Sequence, residues 1–165
     1  EEKINFSQIN DLSSKTTTNA TIKKFNRGSD NISQLQNFFE VDNIYCVFQK
    51  DAEHGVYATS FEESYILKNY QNCLLNKVLK QLKPRVYRGI VGAEDPEDFN
   101  QLKNKSYELQ GKLSGSKSDF ANTLLYEMII NDDKSLQPVM PQYIVDGLDW
   151  LQNKIDESFN LGKTA

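Results

Sequence analysis

Only one stretch of this chain reads at once as a buried strand. Ile44-Tyr45-Cys46-Val47-Phe48 is a run of five apolar residues, mostly β-branched or aromatic. A lone strand leaves its own backbone donors and acceptors unpaired along both edges, so it needs partners. The downstream sequence supplies few, because after Gly55 the pattern turns helical and stays so. The expectation is an α+β chain that is mainly α-helical, with one or two strands and four to five helices. The strand is expected to be the edge of a sheet whose other strands lie upstream.

The helices announce themselves by caps and stripes. Ser60-Phe61-Glu62-Glu63 has the S-x-x-E spacing of a capping box, which places Ser60 at an N-cap and predicts a helix to about Lys68. A second helix is expected over 71–82, with Leu74, Val78, Leu79 and Leu82 on one face and Pro84 beyond its end. A third opens at Asp95-Pro96-Glu97-Asp98, with Pro suited to the first helical position and acids to the positive end of the dipole. Its stripe is Phe99, Leu102, Leu109 and Leu113. A fourth opens at Ser116-Lys117-Ser118-Asp119 and is expected to bury Phe120, Leu124, Leu125, Met128 and Ile129. Pro141 opens the last, with Ile144, Leu148, Leu151 and Ile155 at spacings of four and three. Upstream, a polar segment of about 20 residues precedes a short helix carrying Ile22 and Phe25, and 31–39 has helical spacing at Ile32, Leu35, Phe38 and Phe39.

Composition narrows the function classes. The 165 residues carry a formal net charge of -4, which argues against bulk electrostatic binding of nucleic acid while leaving room for a local basic groove. No apolar run reaches the roughly 18 residues of a membrane span, and residues 1–11 lack a signal-peptide pattern, so a cytoplasmic protein without membrane contact is expected. Cys46 and Cys73 each lie in an apolar stretch and are expected to be reduced core thiols. With a single His there is no conventional zinc site, so any metal site must be built from carboxylates and hydroxyls. Phosphate-cradling glycine loops, zincin helices and nucleophile elbows are absent.

The candidate site residues sit at helix N-termini. Glu63 has a structural role open to it, bonding back to the Ser60 amide within the capping box. Glu62 has no such duty and is the freer candidate for a metal ligand, against the simpler role of an exposed first-turn acid. Lys117 sits at the positive end of a helix dipole, a mildly unfavourable place for a cation, and residues that break a local rule often serve function. A solvated surface Lys is its plain alternative. His54 reads as a solvent-facing residue of a polar turn. Asp132, Asp133, Asp146 and Asp149 read as helix-end and solvated charges. Lys77, Lys80, Lys83, Arg85 and Arg88 form the densest basic stretch. They suit either a phosphate backbone or the wet side of an amphipathic helix.

Four motifs in order carry a resemblance: 17–25 (Thr-Thr-Asn-Ala-Thr-Ile-Lys-Lys-Phe), 60–67 (Ser-Phe-Glu-Glu-Ser-Tyr-Ile-Leu), 117–121 (Lys-Ser-Asp-Phe-Ala) and 141–151 (Pro-Gln-Tyr-Ile-Val-Asp-Gly-Leu-Asp-Trp-Leu). Together they resemble the C-terminal part of OLD-family (overcoming lysogenization defect) ATP-dependent endonucleases, which include phage-defence nucleases. The resemblance implies a Toprim nuclease domain that cuts DNA with two Mg2+ or Mn2+ ions, joined to an N-terminal ABC-type ATPase domain, in a homo-oligomeric parent. It implies that Glu62, and less directly Glu63, is a metal-associated carboxylate, and that Lys117 is the basic catalytic residue that stabilises the scissile phosphate. On this reading 1–58 is the end of a Toprim-like α/β unit and 59–165 a helical region packed on it.

The chain departs from that pattern in one respect. The Glu-Gly and Asp-x-Asp motifs on which Toprim chemistry depends are absent, and Ile9-Asn10-Asp11-Leu12-Ser13 echoes the second only in part. The lone strand and the start at Glu1 without Met point the same way, so the sequence is expected to be a piece of a longer chain, inactive alone. The alternative is a helical interaction or DNA-positioning module without chemistry.

Overall fold

The structure, a computed structural model, describes residues 20, 38–41, 43–47, 49–51, 53–103 and 105–161. The polar start of the chain, the helix expected around Ile22 and Phe25, residues 31–37 and the motif 17–25 other than Ala20 lie outside the described residues. The described part is mainly helical with a few short strands. It divides into two compact units, one built on 58–140 and the other on 38–57 with 141–161.

In the strand-bearing unit, β1 (Phe38–Val41) and β2 (Ile44–Val47) pair antiparallel in the register Phe38↔Val47, Phe39↔Cys46, Glu40↔Tyr45 and Val41↔Ile44. The strand at 44–47 thus finds a partner upstream along one edge, as expected. One expectation is corrected: residues 38 and 39 are strand rather than the end of a helix. The helical spacing is overridden at Phe38-Phe39, where adjacent aromatics suit a strand. A second hairpin joins β3 (Lys50–Asp51) to β4 (Val56–Tyr57). Its turn contains Gly55 at φ +67°, a left-handed conformation that costs glycine little.

The long helix at 142–161 packs on β2 and β3. Trp150 stacks on Tyr45 with ring centroids 5.3 Å apart and planes 12° from parallel. Lys154 pairs with Glu40 at 3.1 Å. The stripe expected at Leu148, Leu151 and Ile155 is exposed, as is Phe159. Helical periodicity marks an apolar face without saying what covers it.

The other unit is a helix bundle. In chain order it contains α1 (Phe61–Lys68), α2 (Cys73–Leu82), α3 (Pro84–Ile90), α4 (Phe99–Lys103), α5 (Ser106–Leu113) and α6 (Lys117–Ile130); the helix at 142–161 is α7. Leu74, Leu75, Val78 and Leu79 are buried on α2, which packs on α6 and α3. Burying such side chains stabilises by about 1.5–3 kcal/mol each. Pro84 does not merely end the helix before it. Its fixed φ and missing N–H suit the first position of α3. The helix expected after Asp95 is two helices interrupted near Lys105, yet its whole stripe is buried.

The face expected for α6 is half right. Phe120 and Leu124 are buried, whereas Leu125 and Ile129 are exposed. Glu127 takes a buried position instead, its carboxylate held by Lys77 at 2.7 Å. Cys73 is exposed at the first position of α2 and is therefore not a core thiol. Cys46 is half-buried, and both thiols are free.

Two asparagines, Asn69 and Asn72, bind the segment after α6 to the junction of α1 and α2, and a third, Asn76, ties that junction to α3. Asn69 Nδ2 donates to the carbonyls of Tyr65 and Val139, and its Oδ1 accepts from the Val139 amide at 2.7 Å. Asn72 caps α2 through the Leu75 amide and donates to the Leu136 carbonyl. Asn76 donates to the Tyr70 carbonyl, and its Oδ1 shares the single proton of the Tyr87 hydroxyl with Asp95 Oδ1, both at 3.0 Å. This bundle fixes the ends of α1, α5 and α6, where the candidate residues lie.

Candidate functional site

The capping box forms on its N-cap side. Ser60 Oγ accepts from the Glu63 amide at 3.1 Å and donates to Gln110 Oε1 at 3.2 Å. The reciprocal bond is displaced by one residue. Glu63 Oε2 accepts from the amide and hydroxyl of Thr59, at 2.7 and 2.5 Å, rather than from the Ser60 amide. Its Oε1 accepts from Ser106 Oγ at 2.6 Å, at the start of α5. Glu63 is completely buried, and three donors compensate its carboxylate, so it ties α1 to α5.

Glu62, one position earlier, turns to another helix. Its Oε1 lies 2.8 Å from Lys117 Nζ, and the side-chain exposures of Lys117 and Glu62 are 46% and 18%. The two residues singled out by separate motifs, 55 positions apart in the chain, therefore meet head to head. Burial alone would raise the Glu62 carboxyl. The hydrogen bond and positive charge of Lys117, with help from the backbone amide and Ser60, outweigh burial and hold it below the usual carboxylate range. Lys117 opens α6 after a 3-10 turn at Ser114–Ser116. One carboxylate engages an ammonium with three donors, so the lysine keeps hydrogen-bonding capacity for an anion.

Sequence reasoning missed several residues around this pair. Lys83 Nζ donates to Ser116 Oγ at 2.9 Å and so links the start of α3 to the start of α6. Thr59 and Ser106 position Glu63 and Gln110 engages Ser60; no local motif marks Ser106 or Gln110 because their partners come from another helix. The remaining basic residues divide in two. Lys77 is paired with Glu127, and Lys80 with Asp95 at 2.8 Å. Arg85 and Arg88 are exposed and, with Pro84 and Gly89, line an open depression of about 360 Å³.

The other acids have local duties. Asp133 accepts from the amide and hydroxyl of Ser135, which holds its carboxyl low. Asp146 accepts from Gln142. His54 is half-buried in the β3–β4 turn.

Among the described residues no group of three or more His, Cys, Asp or Glu side chains could hold a metal ion. Glu62 can offer one carboxylate, while both Glu63 oxygens are occupied by protein donors. A two-ion site needs about six ligands per ion, so the described residues do not form such a cage. Also among them, no helix is long and apolar enough to cross a membrane.

Over 157 residues, 94% of its length, this chain is 50% identical to Endonuclease GajA of Bacillus cereus (strain HuB5-5). The chain spans 22% of that protein's length. No family model and no solved structure matches the chain.

Proposed function

We propose that this chain contributes the lysine-bearing part of a phosphodiester-hydrolysing site in a larger DNA endonuclease of the OLD type, with a Toprim nuclease domain. The observation that carries this reading is the Lys117–Glu62 pair, in a chain half identical to a protein named as an endonuclease. In this reading Lys117 donates to a non-bridging oxygen of the scissile phosphate and stabilises the charge that develops there. Glu62 keeps the ammonium in place when DNA is absent and yields it to the phosphate on binding. Ser60 caps the start of α1, and Lys83 steadies the start of α6 through Ser116.

Mg2+ or Mn2+, when bound, would neutralise phosphate oxygens and supply an activated water. Glu62 is the carboxylate available to it here, and the other ligands belong to chain outside these residues. The same reading assigns DNA as substrate, an ABC-type ATPase domain of the parent as the ATP-binding partner, and a homo-oligomeric parent. The chain alone is then inactive.

The test is a graft. Replacing the matching segment of the Bacillus cereus endonuclease with this chain should retain Mg2+- or Mn2+-dependent DNA cleavage, and Lys117→Ala in the graft should lower it by roughly 100-fold or more. Cleavage unaffected by Lys117→Ala would refute the assignment. An inactive graft that folds and still binds DNA would favour a DNA-positioning module without chemistry.

A further inference from the structure

The basic stretch contains five cations, Lys77, Lys80, Lys83, Arg85 and Arg88, with no acid anywhere from Ser64 to Ala93, in a chain whose net charge is -4. The structure separates the five by duty. Lys77 and Lys80 are neutralised by Glu127 and Asp95, and Lys83 donates to Ser116 at the start of α6. Arg85 and Arg88 are exposed and make no ion pair with any described residue. They are three positions apart on α3, hence on one face with Cβ atoms about 5–6 Å apart. The depression between them is open, since a Cβ placed on Gly89 would meet nothing within 4 Å.

Two guanidinium groups on one face, each able to make a bidentate contact with a phosphate, line this open depression. The connection to Lys117 is physical. α3 begins immediately after Lys83, whose ammonium bonds the hydroxyl of Ser116, the residue before Lys117. The start of the arginine-bearing helix is thus bound to the start of the lysine-bearing one.

We propose that Arg85 and Arg88 form an anchor for the phosphodiester backbone of duplex DNA, gripping it on the flank of the Lys117 site. This rests on the nuclease reading for its choice of ligand. Arginine contacts of this kind position a duplex without reading its sequence. The anchor therefore supplies salt-sensitive, sequence-independent affinity, and Lys117 supplies the chemistry.

The experiment is fluorescence anisotropy of a labelled mixed-sequence 20-base-pair duplex with the 165-residue chain, across a salt series without divalent metal. Arg85→Gln and Arg88→Gln should each weaken binding several-fold. The double variant should weaken it at least tenfold and reduce the magnitude of the salt slope by about two. Lys80→Gln, removing a cation already paired, should change affinity less than about twofold. Gly89→Glu places an acid in the open depression at a helical position where glycine is the poorer helix former, so it should weaken binding without lowering the melting temperature.

Affinity unchanged in the double arginine variant, an equal loss in Lys80→Gln, or no duplex binding by the parent chain would overturn the anchor. The two readings fail separately. If the arginine variants bind normally while Lys117→Ala abolishes cleavage by the graft, the anchor is wrong and the nuclease reading stands. If they lose binding while the graft never cleaves, the anchor stands alone.

Discussion

Lys117 Nζ sits 2.8 Å from Glu62 Oε1, joining the first turn of α6 to the first turn of α1. A cation at a helix N-terminus is mildly disfavoured by the dipole, and a carboxylate at the same end is favoured. The contact with Glu62 offsets the first effect. The exposed ammonium and the more buried carboxylate are thereby held together at one point of the surface.

The pair has a pH signature. The Glu62 carboxyl is held below its ordinary value of 4.5, so its contribution to stability is fully present above that value and is lost as pH falls through the folded-state value. Glu62→Gln should therefore be less stable than the parent chain at pH 7, with the gap closing below about pH 4.5. Urea unfolding at pH 7, 5, 4 and 3 measures this, and a gap that stays constant over the series would remove the ion pair as its cause.

Glu63 answers to a different test, because its carboxylate is a buried strut between α1 and α5. Glu63→Ala strands Ser106 Oγ and the Thr59 amide and should cost about 3 kcal/mol without any metal present. Glu63→Gln keeps one oxygen acceptor and should cost less. Denaturant unfolding in EDTA separates a strut from a metal ligand, since a residue that acts only through a metal would show no loss there.

Much of this was legible in the sequence, and the rest failed for definite reasons. Ser60-x-x-Glu63 marked the start of α1 because a cap is a local interaction. The reciprocal bond goes to Thr59 on one carboxylate oxygen while Ser106, from another helix, takes the other, a long-range contact that no local spacing marks. Lys117 was conspicuous as a cation in the wrong half of a helix, but its partner could not be read from spacing 55 residues away. Leu125 and Ile129 fit the apolar face of α6 by period, yet they are exposed while Glu127 is buried against Lys77. Periodicity gives a face and leaves open what covers it. Phe38 and Phe39 went to a strand because adjacent aromatics suit one, and there the helical spacing is overridden.

The Lys77–Glu127 pair makes that last point measurable. Lys77 is largely exposed while the Glu127 side chain is 8% exposed, so the carboxylate bears most of the desolvation. Lys77→Met should cost about 1–2 kcal/mol because it leaves a buried charge without its partner. The double variant Lys77→Met with Glu127→Leu should recover most of that loss. A double-mutant cycle by thermal unfolding checks it, and additive losses would mean that the two residues are not coupled.

Asn69 tests whether the segment between α6 and α7 is held by the asparagine cluster. Its side chain is buried, donates to Tyr65 and Val139 carbonyls and accepts from the Val139 amide. Asn69→Ala removes all three bonds and should cost about 2–3 kcal/mol in urea unfolding. Asn69→Asp keeps the acceptor but places an ionised carboxylate against two carbonyl oxygens, so its folded-state pKa should rise. That variant should be the less stable of the two at pH 7 and should gain relative to Asn69→Ala as pH falls toward 4, because the protonated carboxyl can donate to one of the carbonyls. If the Asp variant matched the parent chain at pH 7, the donor role of Asn69 would be excluded.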